Sequence, residues 1–112
     1  MNTRHWKNVE SRKNIHKVDV RDLYSDKTAQ VVHILLKPGE ELKPHLTPVD
    51  VAFYVLEGCG TVLIGEEKQK VEAGTLIESP KMIAHCWFNE TDSDVRVLVI
   101  KAPRPESKAI IL

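Results

Sequence analysis

The chain has 112 residues, a length that predicts one domain. Hydrophobic residues make up 42% and charged residues 29%, ordinary values for a soluble globular protein. The 16 basic side chains balance the 16 acidic ones, so the formal net charge is zero. This balance argues against nucleic acid as the main partner, because phosphate binding usually needs a marked basic excess.

The sequence carries no sign of export or of a membrane span. No apolar run reaches the roughly 18 residues that a transmembrane helix needs. Met1 to Lys17 is polar and basic, without the apolar core of a secretory signal. Cys59 and Cys86 are too few for a disulfide framework, so reduced thiols are expected. These features predict a cytoplasmic protein that does not bind membranes.

The two ends of the chain differ from its centre. Residues 1–16 are expected to form an N-terminal arm, in which Trp6 and Ile15 are isolated apolar anchors among basic residues. Residues 17–103 carry the pattern of a β domain. Residues 104–112 form a C-terminal tail with an apolar end, which we expect to dock on a barrel edge or on a partner subunit.

The central region reads as a series of short strands. Apolar and β-branched residues recur with a period of two or as short runs between turn residues. The predicted strands are 18–21, 29–37, 50–57, 61–64, 68–72, 74–78, 84–89 and 94–102. All six prolines lie outside the apolar strand interiors, and no helical periodicity is sustained. Short strands spaced about 8–12 residues apart predict a sandwich or a closed barrel.

Two stretches of this region each place a histidine between turn residues and a β-rich run. His45 precedes the most apolar strand, 50–57, and His85 is the second residue of strand 84–89. A small β-barrel brings inward side chains from separate strands to one interior point. We therefore expect the two imidazoles to converge, and this convergence is the basis of the functional prediction.

The two stretches resemble the two motifs of the cupin family, G-x5-H-x-H-x3/4-E-x6-G and G-x5-P-x-G-x2-H-x3-N. The first motif is matched by Gly39, His45 and Gly58, with Thr47 and Val51 replacing its second histidine and its glutamate. The second is matched by Gly74, Pro80, His85 and Asn89, with Met82 replacing its glycine. The resemblance implies an all-β fold, a cupin-type jelly-roll β-barrel of two antiparallel sheets, usually dimeric.

The resemblance also implies which residues would hold a metal. In metal-binding cupins three histidines and one glutamate face the interior, so His45 and His85 would be ligands for iron, manganese, nickel or zinc. Thr47 and Val51 remove the other two ligands, and two imidazoles alone bind a divalent ion weakly. His33 or Asp50 could substitute, although strand alternation turns Asp50 to the opposite face. Two histidines and a carboxylate would resemble a non-haem iron site.

The expected ligand pocket follows from strand alternation around the two histidines. Trp87 shares the face of His85, and Phe53 shares the face of Val51. The predicted lining is His45, Thr47, Val51, Phe53, His85 and Trp87. Cys86 lies on the opposite face from His85 and is expected to be a buried packing thiol.

Small-molecule binding in this pocket is the leading functional prediction. The alternatives are a metal-dependent enzyme of dioxygenase or sugar isomerase type, and a non-catalytic sensor or protein-interaction module. Metal-free acid–base catalysis by histidine also remains open. The fold does not select among these, since cupins carry out many reactions. Small size, zero net charge and the apolar C-terminus predict a homodimer.

Overall fold

Two antiparallel sheets of five strands each make up the protein, in a computed structural model that describes all residues 1–112. The strands are β1 (Asp19–Asp26), β2 (Ala29–Leu36), β3 (Glu41–Leu46), β4 (Val51–Glu57), β5 (Cys59–Ile64), β6 (Glu67–Glu72), β7 (Leu76–Ser79), β8 (His85–Phe88), β9 (Val95–Lys101) and β10 (Ile110–Ile111). Their order is β1-β2-β9-β4-β7 in one sheet and β10-β3-β8-β5-β6 in the other. The helical content is a single 3-10 turn at Trp6–Asn8. The structure contains no helix with the length and hydrophobicity of a membrane span.

The core lies between the two sheets and is built from every second residue of the central strands. Val95, Val97 and Val99 of β9 are buried, while the residues between them are half-buried. The paired strand β4 buries Phe53 in the same way, opposite Val99. From the other sheet Trp87 is fully buried, with its ring 5.4 Å from that of Phe53. These apolar inner faces hold the sheets together by removing nonpolar area from water.

Three glycines of the two motifs lie at turns where the backbone takes a left-handed conformation. Gly39, Gly58 and Gly74 all adopt positive φ angles. A Cβ atom at Gly58 would also overlap the carbonyl oxygen of Asp94, so this position accepts glycine alone. Met82, which stands at the family's glycine position, also has a φ of 61°. The turn before His85 therefore keeps its shape despite the substitution.

All eight predicted strands are present, but two further strands were not predicted. β3 is largely polar and contains Pro44, and its register on β8 is interrupted between Leu42 and His45. The interruption lets proline occupy the strand without breaking a continuous ladder. β10 has two residues and exists because the tail crosses back to the edge of β3, a tertiary contact that local pattern cannot reveal.

Both chain ends pack on the barrel. Trp6 of the arm stacks on His33, and the backbone N–H of Arg12 donates to Val20. At the other end, Ile111 pairs with His45 through β10 and β3. The expected docking of the tail on a barrel edge is thus seen, and the edge concerned is the one that carries His45.

Candidate functional site

His45 and His85 lie directly opposite each other on the neighbouring strands β3 and β8. Cross-strand partners on one face of a sheet are the closest side-chain neighbours, which is why the rings meet. Their Nε2 atoms are 3.0 Å apart, and the rings are nearly perpendicular with centroids 4.4 Å apart. His85 is buried with 3% of its surface exposed, whereas His45 is half-buried. The two imidazoles therefore converge, as the sequence predicted, although their strands are adjacent in one sheet.

Hydrogen bonds assign the protons of this pair. His45 Nδ1 lies 2.7 Å from the carbonyl oxygen of Lys43, which can only accept, so Nδ1 carries the hydrogen. In a neutral ring the Nε2 of His45 is then an acceptor, and His85 Nε2–H donates to it. His85 Nδ1 is left to accept, and the hydroxyl of Ser79, 2.7 Å away, supplies the donor. One proton thus bridges the two rings.

The irregularity in β3 supplies the backbone groups that hold the pair. The register shift between Leu42 and His45 frees Lys43 from the ladder to β8. The Lys43 carbonyl oxygen accepts a hydrogen bond from His45, and the Lys43 backbone N–H donates one to His16 Nδ1 at 2.9 Å. The ring of His16, from the N-terminal arm, lies 5.2 Å from that of His45. A third histidine therefore stands beside the pair.

Burial keeps both imidazoles of the pair neutral at pH 7. Desolvation is the main reason that the pKa of His85 is lowered to about 3, and electrostatic repulsion by His45 and Lys101 lowers it further. The pKa of His45 is also lowered, mainly by burial, although its hydrogen bond to Lys43 opposes the shift. At neutral pH the pair therefore offers one N–H donor and one nitrogen acceptor without a charge.

The pair lines a cavity of about 660 Å³. Thr47 Oγ1 lies 3.3 Å from His85 Nε2, and Lys101 also lines the cavity. Its apolar lining from the strands is Val20, Val32, Ile34, Leu42, Phe53 and Val99. A larger open groove of about 770 Å³ between β6 and β7 contains no histidine, lysine or arginine. We therefore place the candidate site in the cavity that contains the histidine pair.

Four of the six predicted pocket residues line this cavity: His45, Thr47, Phe53 and His85. Val51 and Trp87 do not line it, because both are buried in the core beneath it. Phe53 separates Trp87 from the cavity, since its ring packs against His85 at 5.1 Å and against Trp87 at 5.4 Å.

The structure does not bring His33 or Asp50 to the pair. His33 alternates with the inward Val32 and Ile34, so its ring faces outward from β2 and stacks on Trp6 at 4.4 Å. Asp50 is exposed and accepts a hydrogen bond from the Lys81 backbone at 2.8 Å. The structure therefore does not support His33 or Asp50 as a substitute metal ligand. For His33 the reason is strand alternation, which turns its side chain away from the barrel interior.

Three residues of the site were missed by sequence reasoning. Ser79 ends β7 in the opposite sheet and reaches His85 from there. His16 arrives through the fold of the arm, and no local signal marks it. Lys101 could have been found, because it continues the inward series of Val97 and Val99 along β9.

The donor set does not fit a tightly bound divalent metal. No group of three or more histidine, cysteine, aspartate or glutamate side chains could hold an ion. Structural and catalytic centres take three or four protein ligands, whereas here Thr47 offers a neutral hydroxyl and Val51 offers nothing. The two imidazoles by themselves support weak binding at most.

The cupin domain family model matches residues 32–101. An uncharacterized protein of Streptomyces coelicolor is 35% identical over 65 residues, which is 58% of this chain and 58% of that protein. The chain thus matches less than two thirds of this relative's length.

Solved structures give the same result for the fold. TT1209 from Thermus thermophilus is 29% identical, with a TM-score of 0.80 over 94% of this chain and 100% of that chain. The polyketide cyclase RemF from Streptomyces resistomycificus is 17% identical, with a TM-score of 0.86 over 100% of this chain and 85% of that one. The second likeness shows the fold alone. Since the family model matches more than half of its residues, the chain belongs to the cupin domain family.

Proposed function

We propose that this cupin binds a small molecule inside its barrel, with His45 and His85 as the polar recognition groups. The observation that carries the proposal is the position of the neutral pair in the lining of a cavity of about 660 Å³. Small-molecule sites are typically concave, of about 300–1,000 Å³, and mostly apolar with a few convergent polar groups. The cavity has each of these features.

The hydrogen bonds of the pair indicate how a ligand would be held. His85 Nε2–H donates to His45 across 3.0 Å, and Ser79 fixes the tautomer of His85 from the other side. A ligand oxygen can take the place of His45 as the acceptor of this hydrogen bond. The nitrogen released on His45 then accepts from a hydroxyl or amine of the same ligand. Recognition therefore needs neither metal nor a charged imidazole.

The donor set favours binding over metal-dependent catalysis. An enzyme of dioxygenase or isomerase type would need a third protein ligand, and His45 and His85 belong to no group of three side chains that could hold an ion. The neighbouring His16 already accepts a hydrogen bond from the Lys43 backbone at its Nδ1. The cyclase activity named for RemF is not transferred, because its 17% identity supports a common fold only. A non-catalytic ligand-binding or sensor role matches the residues that are present.

A thermal-shift screen with sugars, polyols, amines and small organic acids tests the proposal. We expect at least one compound to raise the unfolding midpoint of the wild-type protein and not that of His45→Ala. His5→Ala is the matched control, since His5 is an exposed histidine of the arm. A screen without any stabilising compound, or a shift that His45→Ala retains in full, contradicts the proposal.

We also propose a homodimer in the cytoplasm. The tail residues Ile110, Ile111 and Leu112 remain 51%, 38% and 65% exposed although β10 is paired, and they form an apolar edge on the chain. A second copy covering this edge would remove that area from water. Light scattering at tens of micromolar protein should give the mass of two chains, and the mass of one chain would contradict the dimer.

A further inference from the structure

The charges that line the cavity are all of one sign. Four lysine and arginine residues line it together with three histidines, and no aspartate or glutamate does. The cations are Arg12, Lys13, Lys101 and Lys108, and the uncharged histidines are His16, His45 and His85, whose pKa values are lowered mainly by burial. The whole chain nevertheless has 16 basic and 16 acidic side chains. A concave site with one sign of charge and apolar walls focuses the electrostatic potential. Here the potential is positive, so it attracts anions.

Lys101 is the cation set deepest in the barrel wall. It is the last residue of β9 and follows the inward side chains of Val97 and Val99. Its backbone pairs with Gln30 on one side and Val51 on the other, so it lies in the middle of a sheet. It is half-buried, whereas Arg12, Lys13 and Lys108 are exposed at the mouth.

The ammonium group of Lys101 has no partner in the protein. It makes no salt bridge, and no hydrogen bond to it occurs. The nearest acid by its electrostatic effect is Asp22, which already pairs with Arg12 at 3.0 Å. Burial lowers the pKa of Lys101, and the charge of Arg12 lowers it further. A partly desolvated cation without a counter-ion is unfavourable, so an anion beside it would be stabilised.

The walls of the cavity restrict the anion to an organic one. Phe53, Val32, Ile34 and Val99 contribute apolar side chains to the lining. An inorganic anion would leave these surfaces facing water, whereas a molecule with a hydrocarbon body would cover them. Neutral His85 adds one N–H donor, which suits a carboxylate oxygen that already faces Lys101.

We propose that the cavity takes a small organic carboxylate, with its anionic group at Lys101 and His85 and its apolar body against Phe53 and the inner valines. This inference rests on the proposed small-molecule function and names its ligand class. Arg12, Lys13 and Lys108 at the mouth attract the acid, and Lys101 discriminates it from a neutral analogue of the same shape.

Isothermal titration with matched acids and amides tests this assignment. The probes are benzoate with benzamide, phenylacetate with phenylacetamide, and 4-methylpentanoate with its amide, each at low and high salt. We expect one acid or more to bind at least tenfold tighter than its amide, and higher salt to weaken the acid only. Lys101→Met should lower that acid's affinity tenfold or more and leave the amide unchanged. Lys70→Met, on the exposed face of β6, is the control and should stay within twofold.

Each result decides for or against the carboxylate. Equal affinity for acid and amide, no effect of Lys101→Met, or tighter binding of phenyl phosphate than of benzoate would overturn the inference. In each of these cases the proposed function still holds if neutral compounds bind the wild-type protein and do not bind His45→Ala. Failure of every acid while neutral compounds bind also overturns the inference, and failure of acids and neutral compounds alike overturns both. Circular dichroism of Lys101→Met checks that the variant is folded.

Discussion

His33 and His85 are buried to nearly the same extent, but they lie in different surroundings. Their exposed fractions are 1% and 3%, and burial lowers their pKa values to about 4 and about 3. His33 faces outward from its sheet, where Trp6 covers one side of the ring and Arg96 donates to Nε2 at 3.3 Å. His85 faces inward, and its nitrogen borders the cavity.

The comparison shows that a strongly lowered histidine pKa does not by itself mark a functional site. Desolvation is the largest cause for both residues, so the shift reports burial in each case. The difference lies in the space beside the ring. The side chain of Trp6 fills that space at His33, whereas beside His85 it is a cavity that a ligand can enter.

The two regions are nevertheless connected through the arm. The guanidinium groups of Arg21 and Arg96 lie 5.2 and 4.9 Å from the centroid of the Trp6 ring, which also stacks on His33. This outer cluster anchors the segment that brings Arg12 and His16 to the cavity. The outer histidine thus positions part of the inner site without contacting a ligand.

Acid pH should have the largest effect of the changes considered, because it should reduce stability through both histidines. Both rings are harder to protonate in the folded chain than in the unfolded one, so between pH 6.5 and 4 the unfolded chain binds more protons. Their contribution to stability is present above pH 6.5 and is lost as pH falls toward 4 for His33 and toward 3 for His85. The loss from pH 6.5 to 4 is on the order of 3 kcal/mol for each ring.

Urea unfolding of the wild type, His33→Gln and His85→Gln at several pH values measures this loss. Each variant should lose less of its unfolding free energy between pH 6.5 and 4 than the wild type does. If all three proteins lose the same amount, the lowered pKa values are wrong.

Removing Trp6 should break the connection between the regions. Trp6→Ala deletes two stacked pairs, with His5 and His33, and three cation–π contacts, with Lys7, Arg21 and Arg96, so we expect a loss of about 2 kcal/mol in unfolding free energy. Limited proteolysis should cut the arm of the variant faster, and carboxylate affinity should fall a few-fold because Arg12 and His16 are released. Trp6→Phe, which keeps an aromatic ring, should restore part of the stability. An arm that stays protected in Trp6→Ala would contradict this connection.

Ligand binding should separate the two histidines. His85→Ala should weaken binding of the compound found in the screen by tenfold or more, about 1.4 kcal/mol, because it removes the N–H donor that the pair offers to a ligand. His33→Ala should reduce stability but leave the affinity within about twofold, since its ring is covered by Trp6 and does not line the candidate cavity. Calorimetry on folded variants makes the comparison. Similar losses of affinity in both variants would show that the inner pair has no special role.

Ser79→Ala should give the smallest effect. The hydroxyl donates to His85 Nδ1 at 2.7 Å in a fully buried setting, and its removal leaves that nitrogen without a donor. We expect a loss of about 1 kcal/mol in unfolding free energy. Ser25→Ala, on the exposed end of β1, should cost less than this. Equal costs for the two serines would argue that the bond to His85 contributes nothing.

Local pattern and motif spacing predicted most of the fold. In β4 and β9, residues that face the core alternate with residues that do not, and this alternation is visible in the sequence. The two histidine-bearing stretches predicted that His45 and His85 converge, and strand alternation applied to β9 would have identified Lys101. It could not find β3 or β10, since a polar strand with Pro44 and a two-residue strand have no local signal. His16 and Ser79 were missed because they reach the pair from the arm and from the opposite sheet.

Nitrogen NMR of the imidazole rings at pH 7 tests the central claim most directly. Long-range proton–nitrogen correlation spectra distinguish the two tautomers and the charged ring of each histidine. The structure predicts His85 protonated at Nε2, His45 protonated at Nδ1, and a coupling through the hydrogen bond between their Nε2 atoms. A positive charge on either ring, or hydrogens on both Nε2 atoms, would contradict the neutral pair on which the proposed binding site depends.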